Sequence, residues 1–271
     1  MQLNKPKLIS CSIIFIIFLN IGFCYAQEHK EIKKNLPQTL QRMHFIIYHN
    51  DKSYANKVSW KAEFCYKKII RHFAIDGFRP WEKKSKCRIY LFENRDDYIR
   101  LSGAPTWSGG CAMDDPPRLF IYKGAPKLIE NTLPHEITHL IFHLLIPREK
   151  IPLWLDEGMA QYEEDDWDNG YVRGYLKNSV DEGVYIHFDE LFYIKNYPSK
   201  QEKKNLFYAE SASIIGYLRK QQIASLYGNF ILKIRHGKSV DQALKETYHP
   251  KFKNGISDLE KYWIKYIQTK Y

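Results

Sequence analysis

Between Leu133 and Leu145 the sequence sets two demands that only a helix meets together. Leu133, Ile137, Leu140, Ile141, Leu144 and Leu145 recur at intervals near three and four, the stripe a helix turns toward a core. His135 and His139 stand four apart, so the same helix carries both imidazoles on one face, about 6 Å apart along its axis. Pro134 is tolerated only in a first turn or at a kink, and Pro147 and Pro152 end the helix by about Ile146. Leu153 to Tyr162 then resumes a helical pattern, with Gly158 and Ala160 small enough to lie close to a neighbouring segment.

Two histidines held this way can point at one metal ion. Glu136 is rotated roughly 100° from His135 and can reach a water on that ion without taking a ligand position. A catalytic zinc takes three protein ligands and keeps one position for water, and two His with one Glu is an established set. A short turn and an antiparallel second helix would return Glu157 to the histidine pair, which makes it the third-ligand candidate. Glu136 is the candidate general base. His143 continues the row, but it lies about 12 Å from His135 along the axis, too far for both to hold one ion. It is expected as a polar, partly buried residue behind the ligands.

His135-Glu136-x-x-His139 followed by Trp154-Leu155-Asp156-Glu157-Gly158-Met159-Ala160 resembles the gluzincin zinc peptidases, most closely the bacterial proteins called peptidase MA-like. The resemblance is dense over 133–162 and weaker over 205–227. The interval from His139 to Glu157 is one residue shorter than in the aminopeptidase branch, and Asp156 stands where that branch commonly has Asn. Aminopeptidase specificity is therefore not carried over. The resemblance implies an α+β, zincin-like fold: a small mixed sheet, an active-site helix and a mainly helical C-terminal part. It also implies a Zn2+ cofactor, a peptide or protein substrate, and Tyr208 as a hydroxyl that steadies the oxyanion, where simple packing is the other reading. An extended substrate would add to a sheet edge, for which Gly110–Met113 is the candidate; an ordinary hairpin arm is the alternative. A catalytically inactive zincin-like binding or scaffold module of the cell envelope is the competing function.

The chain begins with Lys5 and Lys7, an apolar run over 8–23 and a short end at Ala26, which reads as a secretory signal over 1–26. The run falls short of the roughly 20 residues of a membrane span, so no stable insertion is expected after cleavage, although an N-terminal anchor remains the alternative. The expected location is secreted or periplasmic, in the cell envelope. Two subdomains follow: 27–150, an α/β part that includes the histidine helix, and 151–271, a helical part carrying Glu157. Cleavage takes two lysines and no acids from the formal net charge of +10, leaving +8. The excess reads as a solvated basic surface, with an anionic envelope or acidic substrate as the alternative, and no nucleic-acid motif accompanies it.

Cys65, Cys87 and Cys111 remain after the signal; outside the cytoplasm a Cys65–Cys87 bridge is expected, with Cys111 left near the cleft rim. Before the motif, 44–49 and 87–93 read as strands, 54–73 and 95–102 as helices, and 111–113 with 118–123 as a hairpin. The acidic run Glu163, Glu164, Asp165, Asp166 and Asp168 is expected as a solvated turn, with a cation or substrate-amine site as the less favoured reading. Helical spacing returns over 206–218 and in the tail.

Overall fold

A computed structural model of the chain describes residues 30–82, 85–221 and 224–271. The expected signal segment, 1–26, lies outside the described residues. Five strands form one sheet in the order β1-β2-β3-β5-β4: β1 Gln38–Gln41, β2 Phe45–His49, β3 Cys87–Phe92, β4 Gly110–Met113 and β5 Arg118–Tyr122. The inner strands β2, β3 and β5 are parallel, and β1 and β4 run antiparallel along the two edges. Every residue of β5 is buried, and β3 is nearly so, as unbroken apolar strands require when both faces are covered.

Helix α1, Lys52–Phe73, starts on an Asp51 cap that accepts from the Tyr54 N–H, and its apolar face packs on β1 and β2. Helix α2, Arg95–Ser102, is capped by Asn94 and rests on β3 and β5. A π-helical turn over Leu128–Thr132 leads into α3, Leu133–Leu145, whose first turn holds Pro134, and α3 lies against α1, β4 and β5. After a 3-10 turn at Arg148–Lys150 comes α4, Leu153–Tyr162. Regular structure then stays helical among the described residues: α5 Gly170–Asp181, α6 Phe188–Leu191, α7 Gln201–Arg219, α8 Ala224–Arg235, α9 Val240–Thr247 and α10 Ile256–Lys270. This is the expected α+β, zincin-like arrangement.

The expected Cys65–Cys87 bridge is absent: both are free thiols in the core, and Cys111 is a half-buried free thiol. Cys65 belongs to the buried face of α1 and Cys87 opens a buried strand, so each packs as a small hydrophobe. Burial pushes the Cys65 thiol up to about 12.

Helix α4 is the pivot between the two parts. It packs on α3 on one side and along α7 on the other, with Trp154 stacked on Phe192 at 4.2 Å between ring centroids. The α4–α7 approach depends on Gly158, where a Cβ would stand 2.8 Å from the carbonyl oxygen of Ser211. Glu157 is the preceding residue, so this packing sets how far the carboxylate reaches toward α3.

Candidate metal centre

The two histidines of α3 and the glutamate of α4 converge. Nε2 of His135 and Nε2 of His139 are 3.2 Å apart, and Glu157 Oε2 and Oε1 lie 3.6 and 3.8 Å from them respectively. A tetrahedral zinc with ligands at about 2.0–2.2 Å separates its ligand atoms by about 3.3–3.5 Å, so this donor set fits the ion. Imidazole and carboxylate donors are also the types zinc takes where one position stays open.

Each candidate ligand is held from behind. His135 Nδ1 is 2.9 Å from Glu164 Oε1, and His139 Nδ1 is 2.9 Å from Asp156 Oδ1. Such carboxylates fix the ring so that the other nitrogen faces the metal. Asp156 also meets Nε2 of His143 at 3.1 Å, and His143 Nδ1 reaches Asp114 Oδ1 at 2.8 Å. His143 thus sits behind the candidate ligands and holds Asp156, which bonds His139. The Tyr197 hydroxyl donates to Glu157 Oε1 at 2.5 Å.

The electrostatics follow from burial and these partners. Desolvation works to raise the Asp156 and Glu157 carboxyls, yet the neighbouring imidazoles hold both below the usual carboxylate range. Burial opposes a charged His135, but Glu157 and Glu164 win and hold it well above an ordinary histidine. His143, despite burial, is pushed up to about 9 by Asp114 and Asp156. Anionic donors pointing at two imidazoles make a pocket that favours positive charge, and a divalent ion competes for it against protons.

All five residues singled out from the sequence, His135, Glu136, His139, Glu157 and Tyr208, line one cavity of about 320 Å³. Glu136 is half-buried and lies close to Gly110 in edge strand β4, where a Cβ would stand 3.2 Å from Glu136 Cγ. Gly110, Cys111 and Ala112 form the sheet wall, and Tyr197 and Tyr208 stand on the helical side. Burial, then Glu157, raises the Tyr208 hydroxyl well above an ordinary tyrosine, so it remains a proton donor at neutral pH.

Glu164 corrects the reading of the acidic run as a solvated turn. Glu163 and Glu164 are buried, and the run is committed to partners: Glu163 to His72 at 2.5 Å, Glu164 to His135, Asp165 to Lys61 at 2.5 Å, and Asp166 to Lys127 and Asn131. Glu164 lies just past the end of α4, where the helical periodicity that places Glu157 no longer applies. Tyr197 sits between helices with no periodicity around it, and nothing in the sequence pointed to it.

Two comparisons bear on this geometry. The profile of the family described as Peptidase MA superfamily matches residues 67–269, which takes in the sheet from β3 onward, both ligand helices and most of the helical part. No curated protein matches the chain.

Proposed function

The chain belongs to the Peptidase MA superfamily, and from that premise we propose that it is a gluzincin-type zinc peptidase acting outside the cytoplasm. His135, His139 and Glu157 would hold the ion. Bound there, zinc supplies Lewis-acid polarisation of a carbonyl and lowers the pKa of its water from about 16 toward about 7. Glu136 takes the water's proton and delivers it to the leaving amine. Tyr208 donates its hydroxyl to the carbonyl oxygen as negative charge develops there; losing one such donor typically costs about 3 kcal/mol. The peptide lies extended along β4, the edge strand that pairs on one side with β5.

The observation that carries this reading is the convergence of the two imidazole Nε2 atoms, 3.2 Å apart, with the Glu157 carboxylate, one oxygen 3.6 Å from His135 and the other 3.8 Å from His139, on the cavity that also holds Glu136. A purely structural zinc is usually closed by four protein ligands and needs no base, which disfavours the inactive scaffold. Purified Glu136→Gln should keep one zinc per chain and lose peptide hydrolysis, while Glu157→Ala should lose the metal. Full activity in Glu136→Gln would overturn the mechanism. A zinc-loaded wild type that cleaves nothing in a diverse peptide library would favour the scaffold.

Export rests on the charged start and short apolar run at the N-terminus. No helix among the described residues is long and apolar enough to cross a membrane. Sequencing the mature N-terminus should find a start near Gln27; an intact leader on a membrane-bound protein would mean an anchor instead.

A further inference from the structure

The cavity around the candidate ligands is lined by two cations. Arg148, on the 3-10 turn after α3, lines it with Ala112 and His143; Lys204, in the first turn of α7, lines it with Trp107 and Tyr197. Many lysines of this basic chain are neutralised, Lys61 by Asp165, Lys127 by Asp166 and Lys203 by Glu190 among them. Among the described residues, neither Arg148 nor Lys204 has a carboxylate within ion-pair distance.

Lys204 is placed by rings instead. Its ammonium stands 5.6 Å from the centroid of Trp107, on the loop before β4, and 5.7 Å from that of Tyr197 on the helical side. Two π faces hold the charge in position without consuming its N–H donors, which stay available to a ligand. The carboxylates of the site are meanwhile engaged: Glu157 with the imidazoles, Asp156 and Asp114 with His143. Glu136 lines the same cavity. Zinc there would add further positive charge.

A peptide laid along β4 advances about 3.3 Å per residue, so the side chains beside its cleaved bond share one cavity with both cations. We propose that the cleft selects anionic peptides, with Arg148 and Lys204 each binding a substrate carboxylate beside the scissile bond. This deepens the peptidase reading and rests on it. The carboxylate is either an acidic side chain or the C-terminus of a short peptide.

The test uses zinc-loaded full-length protein and a matched peptide series. Members carry Glu, Gln or Lys at the two positions on either side of the cleaved bond, each made with a free and an amidated C-terminus. Expected is kcat/KM about tenfold higher for Glu than for Gln peptides, the size of one charge-assisted hydrogen bond, with Lys peptides lowest and the spread narrowing as salt is added. If amidation lowers the rate about tenfold while Glu and Gln peptides are cleaved alike, the terminal carboxylate is the group bound; if Glu raises the rate and amidation changes nothing, it is the side chain. The double variant Arg148→Glu with Lys204→Glu should invert the order and prefer Lys peptides. An unchanged order in that variant, or a wild type that favours neither Glu over Gln nor a free over an amidated C-terminus, overturns the proposal. Binding of the same peptides to zinc-loaded Glu136→Gln, followed by fluorescence polarisation, separates the two readings. Tighter binding of Glu peptides without hydrolysis by the wild type sinks the peptidase and keeps the anion selectivity; hydrolysis without preference does the reverse.

Discussion

Tyr197 donates its hydroxyl to Glu157 at 2.5 Å, so the carboxylate that comes from α4 is steered by a side chain from a loop between α6 and α7. Partners of this kind behind a ligand are typically worth about 10–100-fold in metal affinity. Tyr197→Phe keeps the ring over which Lys204 sits and removes only the hydroxyl. Zinc affinity measured by chelator competition should fall about tenfold, with the fold and Tm of the zinc-saturated protein little changed. An affinity equal to wild type would make the contact incidental to ligation.

Asp156 bridges two imidazoles, meeting His139 Nδ1 at 2.9 Å and His143 Nε2 at 3.1 Å while buried itself. Removing it frees the ring of His139 to turn and leaves His143 without its inner acceptor. Asp156→Ala should therefore weaken zinc binding by about 10–100-fold, and Asp156→Asn, which retains one acceptor oxygen, should weaken it less. The graded order of wild type, Asn and Ala in a competition titration is the diagnostic; equal affinities would show that His139 is oriented by packing alone.

Legibility in the sequence tracked how local each relationship is. His135, Glu136 and His139 were readable because helical periodicity alone dictates their faces. Glu157 needed only one turn between two helices. The parallel strands showed as buried apolar runs, whereas β1, Gln-Thr-Leu-Gln on an exposed edge, lacks the alternation that marks a strand. Glu164 was misjudged because an acidic run after a helix looks solvated until the helix end is seen turned onto α3. Tyr197 and Asp114 act from loops whose positions are set by distant packing, and no local pattern encodes that. Compartment and cysteine count suggest a Cys65–Cys87 bridge, but side-chain packing in the core governs where the two lie.

Glu210 in α7 is fully buried; one oxygen accepts the Ile186 N–H at 2.8 Å and the other has no hydrogen-bond partner among the described residues. Burial raises its carboxyl well above the usual range, with the Ile186 N–H opposing. The folded chain therefore binds this proton more tightly than the unfolded chain. Stability from this group is full below the unfolded value, near pH 4.5, and is lost as pH rises toward the folded value. Glu210→Gln keeps the acceptor and stays neutral. Its Tm should match wild type near pH 4.5 and exceed it by about 2–4 °C at pH 8, the shift expected for about 1 kcal/mol. A constant offset at both pH values would show that Glu210 does not titrate on unfolding.

Two glycines in helices predict opposite outcomes for the same substitution. In an exposed helix interior, Gly→Ala gains up to about 1 kcal/mol from helix propensity. Gly174 in α5 is exposed and a Cβ there meets nothing within 4 Å, so Gly174→Ala should raise Tm by about 2–4 °C. At Gly158 the added Cβ would stand 2.8 Å from the Ser211 carbonyl oxygen and 2.9 Å from its carbon, main-chain atoms of a packed helix with no rotamer to yield. Helices α4 and α7 must then part, an overpacking cost of about 2 kcal/mol that outweighs propensity. Gly158→Ala should lower Tm by about 4–8 °C in a calorimetric scan and, because Glu157 moves with α4, weaken zinc binding too. If Gly158→Ala is as stabilising as Gly174→Ala, the α4–α7 spacing is looser than described, and the reach of Glu157 toward His135 and His139 is not set by that contact.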